Sequence, residues 1–195
     1  MYRSFIKRLL DIIFSIVLLP FLLLIFIPVA IAIKVEDRGP VFYNATRYGK
    51  DMRHFKMFKF RSMKVNAPDI RNSDGTTFNS ENDPRVTKVG RFIRKTSIDE
   101  LPQVLNVLLG DMSFIGPRPS PLGDKSIYPA EFMRKFQVKP GISGYSQAKV
   151  RNNASMDERI KLDSYYVDNL SFVLDVKIIF WTIKQIIKKD NVYRN

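Results

Sequence analysis

Asp99 and Glu100 form a pair of adjacent carboxylates at the head of a short apolar segment, and this position makes them candidates for chemistry. The segment has apolar residues at the spacing of one helix face, and Gly110 is a typical helix end. We therefore expect Asp99 to be the N-cap of this helix, with Pro102 tolerated in the first turn. The apolar face is predicted at Leu101, Val104, Leu105 and Leu108.

A helix N-terminus would give this carboxylate pair a specific chemistry. The positive field of a helix N-terminus keeps a carboxylate ionised and also attracts a phosphate group. An ionised Asp99 facing a phosphate could therefore act as a nucleophile and form an aspartyl-phosphate intermediate. The same residues allow a purely structural interpretation, in which Asp99 only caps the helix and Glu100 is solvated in its first turn.

A second candidate is the turn Gly116-Pro117-Arg118-Pro119, a short distance downstream. Arg118 lies between two prolines, so its backbone is restricted and its guanidinium could bind a phosphate through two hydrogen bonds. Lys59 and Arg94 are further cationic candidates. A solvated surface charge is the commoner role for any one of these cations taken alone, and Arg118 is the strongest candidate among them.

The composition limits the classes of function that are open to this chain of 195 residues. It has no cysteine and one histidine, His54, which excludes thiol nucleophiles, disulfides and thiolate zinc sites. Any metal chemistry would then use carboxylate and phosphate oxygens, which favours Mg²⁺. The net charge of +13 indicates a polyanionic partner, which could be nucleic acid, an anionic membrane surface or a phosphorylated substrate.

Residues 9–33 are almost wholly apolar, with Asp11 and Ser15 as the polar interruptions. A straight helix of this length spans about 37 Å, more than the roughly 30 Å hydrocarbon core of a bilayer. Basic residues flank the stretch on both sides, which is consistent with both ends lying in the cytoplasm. Pro20 and Pro28 each remove a helical hydrogen bond. The residues alone leave open whether the helix spans the membrane with a kink or re-enters the same leaflet.

A membrane-inserted segment at 1–35 is therefore predicted to precede a compact α/β (α+β) catalytic domain at 36–195. Short strands are expected at 39–43 and 55–60, and the second alternates apolar and basic residues. An antiparallel strand with one solvated face is the commoner cause of such alternation, although a surface for nucleic acid can show it too. Residues 66–84 have the composition of a loop.

The C-terminal stretch 172–189 predicts an amphipathic helix with a broad apolar surface and a lysine-rich face. Its basic face and its tryptophan, Trp181, suit the headgroup region of a membrane. A surface helix packed on the core of the domain is the alternative.

Several short motifs, in order and at matching spacing, make the chain resemble the monotopic phosphoglycosyl transferases, also called bacterial sugar transferases. It is most similar to their small PglC-type members. The resemblance runs over nearly the whole length, and it is most specific around Asp99 and Arg118. The motifs are Lys7-Arg8-Leu9-Leu10-Asp11, Gly39-Pro40-Val41-Phe42, Lys59-Phe60-Arg61-Ser62-Met63, Asp83-Pro84-Arg85-Val86-Thr87-Lys88-Val89-Gly90, Asp99-Glu100-Leu101-Pro102-Gln103, Gly110-Asp111-Met112-Ser113-Phe114-Ile115-Gly116-Pro117-Arg118-Pro119, Lys139-Pro140-Gly141-Ile142-Ser143-Gly144 and Tyr165-Tyr166.

The resemblance implies an enzyme that transfers a phosphosugar from a UDP-sugar to polyprenol (undecaprenyl) phosphate, with release of UMP. The expected place is the cytoplasmic face of the bacterial inner membrane, at the first membrane step of a glycoconjugate pathway. Asp99 would be the nucleophile that forms a covalent phosphosugar-aspartyl intermediate, and Glu100 would help to arrange Mg²⁺ and the acceptor. Asp99 and Glu100 are thus the expected Mg²⁺ ligands, and the substrate-binding residues are expected to be Lys59, Arg94, Pro117, Arg118 and Arg151.

The sequence departs from the family pattern at two places. The family's membrane helix is typically broken by a Ser-Pro pair and returns to the same face; here Pro20 and Pro28 lie on either side of the expected break, and no Ser-Pro pair is present. The family's Asn-Gly-Arg-Asn pattern is altered to Lys149-Val150-Arg151-Asn152, and Met156 replaces a tryptophan often found soon after. The second departure lies near the expected nucleotide-sugar pocket, so the sequence does not predict which sugar is transferred.

Two other functions compete with this one. A membrane-tethered basic protein that binds nucleic acid would explain the charge, but it leaves the Asp99-Glu100 pair and the Arg118 turn without a role. A non-catalytic membrane scaffold is the other rival, and the intact acidic pair argues against it. We therefore expect a transferase with UDP-sugar, polyprenol phosphate and membrane lipids as partners, and no nucleic acid; the oligomeric state is not predicted.

Overall fold

The computed structural model describes residues 1–70, 78, 80, 82–123, 129–150 and 155–188. It is a mixed structure of helices with two small sheets, as the sequence predicted. The α-helices are α1 (Lys7–Asp37), α2 (Lys88–Lys95), α3 (Gln103–Leu109), α4 (Ala130–Met133), α5 (Tyr145–Val150), α6 (Met156–Asn169) and α7 (Phe172–Lys188). The strands are β1 (Ala45–Tyr48), β2 (His54–Met57), β3 (Ser113–Ile115), β4 (Ser120–Pro121) and β5 (Gly141–Ser143). A π-helical turn, Tyr2–Ile6, precedes α1, and 3₁₀ turns occur at Lys50–Met52, Ile98–Glu100 and Arg134–Gln137.

Helix α1 is continuous over 31 residues and contains both Pro20 and Pro28. Together with the preceding turn, it is a helix that is long and apolar enough to cross a membrane by length and composition. It ends where Arg38 adopts a left-handed conformation, a common way for a helix to stop. Because the helix runs through both prolines, the predicted re-entrant break is not confirmed and stays a prediction.

The globular part of the molecule holds α1 near both of its ends. Near the N-terminus, Asp11 is buried and accepts hydrogen bonds of 3.1 Å from the Ser113 hydroxyl and from the Phe114 backbone N–H. At the C-terminus, the Glu36 carboxylate accepts the backbone N–H groups of Lys88 and Val89, at 2.6 and 2.9 Å, and so caps α2. These contacts fix α1 to the same body at two places.

The part of α1 between these attachments is largely uncovered. Ile16, Val17 and Leu24 are 56%, 56% and 72% exposed, respectively. Such a continuous exposed apolar surface is unusual for a protein in water and typical of a membrane-contacting one.

Further along α1, Phe26 joins the helix to the segment that carries the candidate lysine. The rings of Phe26, Phe42 and Phe60 stack with centroids 5.6 to 6.0 Å apart, and Phe60 is fully buried. Lys59 therefore lies next to Phe60, which is buried against α1.

The main sheet has the order β2-β1-β4, with antiparallel pairing, and β3 pairs with β5 in a separate parallel pair. The strand expected at 39–43 is wrong: Phe42 makes only an isolated bridge to Phe60, and the strand forms at Ala45–Tyr48. The strand expected at 55–60 is confirmed in part, as His54–Met57, with Phe55 and Met57 buried. Backbone pairing continues past the end of this strand, since the Tyr43 N–H donates to the Lys59 carbonyl at 2.8 Å. The side chain of Asn106, on α3, binds the Phe58 N–H and the Lys56 carbonyl.

Helix α7 combines features of both interpretations made from its sequence. Ile178 is fully buried in a core cluster that also receives Leu174 and Trp181. Another part of its surface exposes Val173 and Phe180, which are 61% and 69% exposed. The helix is therefore packed on the core, and it also presents apolar side chains outward.

One carboxylate links the beginning of the chain to its end. Asp175, on α7, is buried and accepts hydrogen bonds from the Tyr2 hydroxyl and the Lys7 ammonium, both at 2.6 Å. Its other oxygen lies 2.8 Å from the Tyr166 hydroxyl on α6. The beginning of the chain and its last two helices thus meet at this one buried group.

Residues 71–77, 79 and 81 of the predicted loop lie outside the described residues. The described residues of the range 66–84 form turns and extended chain without helix or strand, as predicted. Arg85 binds the two ends of this range, because its guanidinium pairs with the buried Asp83 carboxylate and donates to the Pro68 carbonyl at 2.9 Å. The Asp83-Pro84-Arg85 motif is therefore structural.

Candidate functional site

Asp99 lies in a 3₁₀ turn, not at the N-cap of an α-helix as the sequence predicted. Ser97 adopts a left-handed conformation (φ 58°), the chain turns through residues 98–100, and α3 begins only at Gln103 with Pro102 as its N-cap. An N-cap carbonyl accepts the first hydrogen bond of its own helix. The Asp99 carbonyl instead accepts the backbone N–H of Phe60, at 3.0 Å.

The apolar face of α3 also differs from the expected one. Val104 is buried as predicted, but Leu105 and Leu108 are only half-buried, and Val107 is fully buried. The later helix start places Val107 on the buried face with Val104. The predicted end at Gly110 is confirmed, with φ 97°.

Four of the predicted site residues come together and form the carboxylate cluster, which consists of Lys59, Asp99, Glu100 and Arg118. The Lys59 ammonium lies 2.7 Å from Asp99 Oδ2 and 3.4 Å from Glu100 Oε1. Arg118 Nη2 lies 3.3 Å from the same Glu100 oxygen. Asp99 is almost wholly buried, whereas Arg118 is 57% exposed, so the cluster runs from the interior to the surface.

The two carboxylates of the cluster have opposite protonation tendencies. Burial raises the pKa of Asp99, the Lys59 charge opposes this effect, and the negative charge of Glu100 adds to it. Burial alone would also raise the pKa of Glu100, but the charges of Lys59 and Arg118 outweigh it and lower the pKa to about 2. The α-helix N-terminus expected at Asp99 is not present there, and Lys59 is the main group that favours the charged form of Asp99.

Asn106 holds the segment that carries Lys59, and the sequence analysis did not identify it. Its side-chain oxygen accepts the Phe58 N–H, and its amide donates to the Lys56 carbonyl, both at 2.8 Å. Asn106 is fully buried on α3, close in sequence to the carboxylates, so it fixes the Lys59 segment to the element that follows them. The available signal was a polar residue inside the apolar run of α3, where a buried amide needs partners.

The turn that carries Arg118 is fixed by close backbone packing. Gly116 N–H donates to the Ser143 carbonyl at 2.8 Å, and Gly141 N–H donates to the Pro117 carbonyl at 3.0 Å. A side-chain carbon on Gly116 would lie only 2.4 Å from the Lys139 carbonyl oxygen, so a larger residue does not fit. Pro117, which precedes Arg118 in this turn, is fully buried.

The two remaining predicted residues are Arg94 and Arg151. Arg94 donates a hydrogen bond of 2.8 Å to the Ser62 hydroxyl, and its charge helps to lower the pKa of Asp99. Arg94 therefore acts on the carboxylate cluster through its charge. Arg151 lies outside the described residues.

The donor set near Asp99 fits Mg²⁺ only as a site completed by a substrate. In the described part of the chain, no group of three or more His, Cys, Asp and Glu side chains could hold a metal ion. Mg²⁺ is commonly bound by one or two carboxylates together with substrate phosphates and water. Asp99 and Glu100 provide two hard oxygen ligands of this kind, with Lys59 and Arg118 as their present partners.

Comparison with known proteins gives consistent matches along the chain. The family described as bacterial sugar transferase matches residues 2–189. The UDP-glucose:undecaprenyl-phosphate glucose-1-phosphate transferase of Escherichia coli K12 is 41% identical over 192 residues, which cover 92% of this chain and 40% of that protein. A UDP-N-acetylgalactosamine-undecaprenyl-phosphate N-acetylgalactosaminephosphotransferase of Aeromonas hydrophila is 43% identical, over 94% of this chain and 44% of that protein.

The relatives differ in length. The chain spans about two fifths of the first relatives it matches, with covered shares between 36% and 42%. An uncharacterized sugar transferase of Bacillus subtilis, EpsL, is 40% identical, and the match covers 95% of this chain and 89% of that protein. The conserved unit therefore occurs both in long proteins and in one of similar size.

Proposed function

The chain belongs to the bacterial sugar transferase family, and from this premise we propose that it transfers a phosphosugar from a UDP-sugar to polyprenol phosphate. The products are polyprenol diphosphate sugar and UMP. The observation that carries the proposal is the carboxylate cluster, in which a buried aspartate contacts a lysine beside an ionised glutamate and a surface arginine. The names of the relatives, which contain UDP-sugars and undecaprenyl phosphate, support the substrate classes.

In the first half of the reaction, an Asp99 carboxylate oxygen attacks the phosphorus that bears the sugar. A new bond forms between this oxygen and the phosphorus, and the bond from the phosphorus to the bridging oxygen breaks. The bridging oxygen leaves with its electron pair as part of UMP, and the phosphosugar remains on Asp99 as an acyl phosphate ester. Lys59, 2.7 Å from Asp99, favours the charged nucleophile before the attack.

In the second half, a phosphate oxygen of the polyprenol phosphate attacks the same phosphorus. The bond to Asp99 breaks, and the carboxylate is regenerated with its electron pair. Arg118 carries a positive charge at the exposed side of the cluster, where it can bind a phosphate oxygen and offset the charge of two approaching anions. Glu100 holds Arg118 and Lys59 in place through its contacts at 3.3 and 3.4 Å.

Mg²⁺ is the cofactor we propose for this site, with Glu100 and Asp99 as the protein residues that would hold it together with the diphosphate. When bound, such an ion supplies positive charge that offsets the phosphate oxygens. The test of this part is activity after treatment with excess EDTA. Activity should be lost and should return with added Mg²⁺, whereas full activity in EDTA would contradict it.

We place the enzyme on the cytoplasmic face of the membrane, with α1 inserted into one leaflet. The attachments at Asp11 and Glu36 support this arrangement because they hold both ends of the helix to the same body. A helix that crossed the bilayer would separate these two contacts by the hydrocarbon core. The exposed apolar middle of α1 and the outward apolar residues of α7 are the surfaces that would enter the lipid.

The test of the proposed function is the release of UMP from a panel of UDP-sugars by the full chain in detergent or lipid. Release should require polyprenol phosphate for multiple turnovers, and a radiolabelled sugar phosphate should stay bound to the protein when the acceptor is left out. A protein that releases no UMP from any donor and instead binds DNA with a steep salt dependence would be the nucleic-acid-binding rival. A chain that does neither would support the scaffold.

A further inference from the structure

A second cation site adjoins the carboxylate cluster through Arg118. Besides contacting Glu100, the Arg118 side chain lines a small pocket together with Lys135. Pro117 and the aromatic residues Tyr48 and Phe136 form other parts of its wall. We call this cavity the Lys135 pocket.

The lining of the Lys135 pocket fits an oxygen of a phosphate group. Its cavity volume is about 10 Å³, which is room for about one water-sized atom such as a single phosphate oxygen. Two cationic side chains, Arg118 and Lys135, line this small volume. Converging cations of this kind are typical of phosphate recognition.

Lys135 is a buried cation, and an aspartate of α6 holds its ammonium group in place. Its side chain is only 11% exposed, and its ammonium lies 3.3 Å from Asp163 Oδ2 on α6. The other Asp163 oxygen accepts a hydrogen bond of 2.7 Å from the Ser146 hydroxyl on α5. An ammonium has three donors, so this single carboxylate contact leaves capacity for a ligand oxygen.

The electrostatic surroundings of Lys135 favour the binding of an anion. Burial lowers the pKa of Lys135, Asp163 opposes this effect, and the charges of Arg118 and Arg159 add to the lowering. The lysine therefore lies in a region of excess positive charge. A phosphate oxygen in the pocket would offset that charge.

Building on the proposed function, we propose that the Lys135 pocket receives an oxygen of the α-phosphate of the UDP-sugar, the phosphate that leaves within UMP, and that Lys135 binds this oxygen. Arg118 connects the two sites, since it contacts Glu100 in the carboxylate cluster and also lines this pocket. When Asp99 attacks the phosphorus that bears the sugar, the departing oxygen belongs to the neighbouring α-phosphate. Lys135 then stabilises the negative charge that this oxygen gains as the bond breaks.

Arg134 provides a matched control for Lys135. It is the preceding residue in the same 3₁₀ turn, and it pairs with Asp168, also on α6. That pair is exposed, with side chains 41% and 46% accessible, and Arg134 does not line the pocket. Each variant removes one cation that is paired with an aspartate of α6.

The experiment compares the binding of UMP and of uridine to the wild-type chain and to Lys135→Met and Arg134→Met. Lys135→Met should weaken UMP binding by about tenfold or more, since it removes a charge-assisted phosphate contact, and should leave uridine binding within about twofold. Arg134→Met should bind both ligands like the wild type. Because Lys135→Met leaves the Asp163 carboxylate buried without its cation, Lys135→Gln, which keeps a donor for Asp163, gives the answer if the first variant does not fold.

Unchanged UMP affinity in a folded Lys135 variant would overturn the inference and leave the proposed function standing. Equal losses for UMP and uridine would also overturn it, because the effect would then not concern the phosphate. A wild-type chain that neither binds UMP nor releases it from any UDP-sugar would instead refute the proposed function itself.

Discussion

At the scale of single residues, the difference between Asp99 and Glu100 is the central feature of the molecule. The two carboxylates are neighbours in sequence and share Lys59, yet burial raises the pKa of one, while Lys59 and Arg118 hold the pKa of the other near 2. Two groups with opposite tendencies at one site are well suited to different tasks. Asp99 is the candidate nucleophile, and Glu100 is a permanent negative charge that organises the cations.

We expect Asp99→Asn to abolish transfer without unfolding the protein. Activity should fall by at least about a thousandfold, because an amide is a poor nucleophile towards phosphorus. The pKa of Asp99 is higher in the folded protein than in the unfolded chain. Ionised Asp99 therefore lowers the stability of the fold once the pH exceeds the pKa of the unfolded chain, and a neutral amide removes this cost. The melting temperature of the variant at neutral pH should therefore not fall below that of the wild type.

UMP release assayed alongside thermal unfolding checks this prediction. Turnover near the wild-type rate, with contamination excluded, would end the assignment of Asp99 as nucleophile. A large drop in melting temperature would show that the carboxylate has a structural role.

We expect Lys59→Met to move the acid limb of the pH–rate profile to higher pH. Asp99 must be deprotonated to attack, so activity is lost as the pH falls through its raised pKa. Without the Lys59 charge, which lowers the pKa of Asp99, that pKa should rise further. The measurement is the midpoint of the acid limb for UMP release in single turnover.

Lys56→Met is the matched control for this variant, since Lys56 is an exposed lysine of β2 three positions earlier. Its profile should follow that of the wild type. If the acid limb of the pH–rate profile does not shift in Lys59→Met, another group sets the protonation of Asp99.

At the scale of elements, the carboxylate cluster depends on how α3 is joined to the chain after β2. Asn106 binds the end of β2 through two side-chain hydrogen bonds, since it accepts the Phe58 N–H and donates to the Lys56 carbonyl. The backbone bond from Phe60 to Asp99 then joins the segment of the lysine to the turn of the nucleophile. The position of Lys59 relative to Asp99 thus depends on the Asn106 side chain and on one backbone hydrogen bond.

We expect Asn106→Ala to destabilise the protein and to weaken catalysis together. It leaves two partly buried backbone groups without their side-chain partner, which costs about 1–3 kcal/mol of unfolding free energy. The displaced Lys59 should also lower the rate of UMP release. Leu109→Ala is the control on the same helix, because Leu109 is 69% exposed.

Denaturant unfolding in detergent measures the two free energies side by side. Leu109→Ala should remain within about 0.5 kcal/mol of the wild type. Equal stability of Asn106→Ala and the wild type would show that the two hydrogen bonds are not needed to hold the segment.

The sequence predicted which side chains come together better than it predicted their local structure. The carboxylates, Lys59 and Arg118 were identified, and they do converge. The N-cap role of Asp99 failed because the left-handed Ser97 and the long-range bond from Phe60 decide the turn, and neither leaves a periodic pattern. Asn106 was missed for the same reason, since its partners lie some fifty residues away in the chain.

At the scale of the whole molecule, the attachment of both ends of α1 to one body leads to a prediction of topology. We expect single cysteines at Ser4 and at Asn44, both exposed positions, to be protected from a membrane-impermeant thiol reagent in intact cells. Both should react after permeabilisation, because the N-terminus and the globular body would lie on the same side. The chain has no native cysteine that could interfere.

The contrary outcome is distinct. Labelling of the Ser4 variant from outside, with the Asn44 variant still protected, would establish a helix that crosses the membrane. The contacts of Asp11 with Ser113 and Phe114 would then be absent in cells.

The meeting of Tyr2, Lys7 and Tyr166 at Asp175 also has a consequence for the order of events during synthesis. Lys7 and Asp175 are 168 positions apart, so this contact is among the most non-local that the chain could form. A ribosome that has released α1 must still make nearly all of the remaining chain before the buried carboxylate exists. We infer that α1 meets the lipid long before the body can close around its first turns, and that the membrane serves as the surface on which folding is completed.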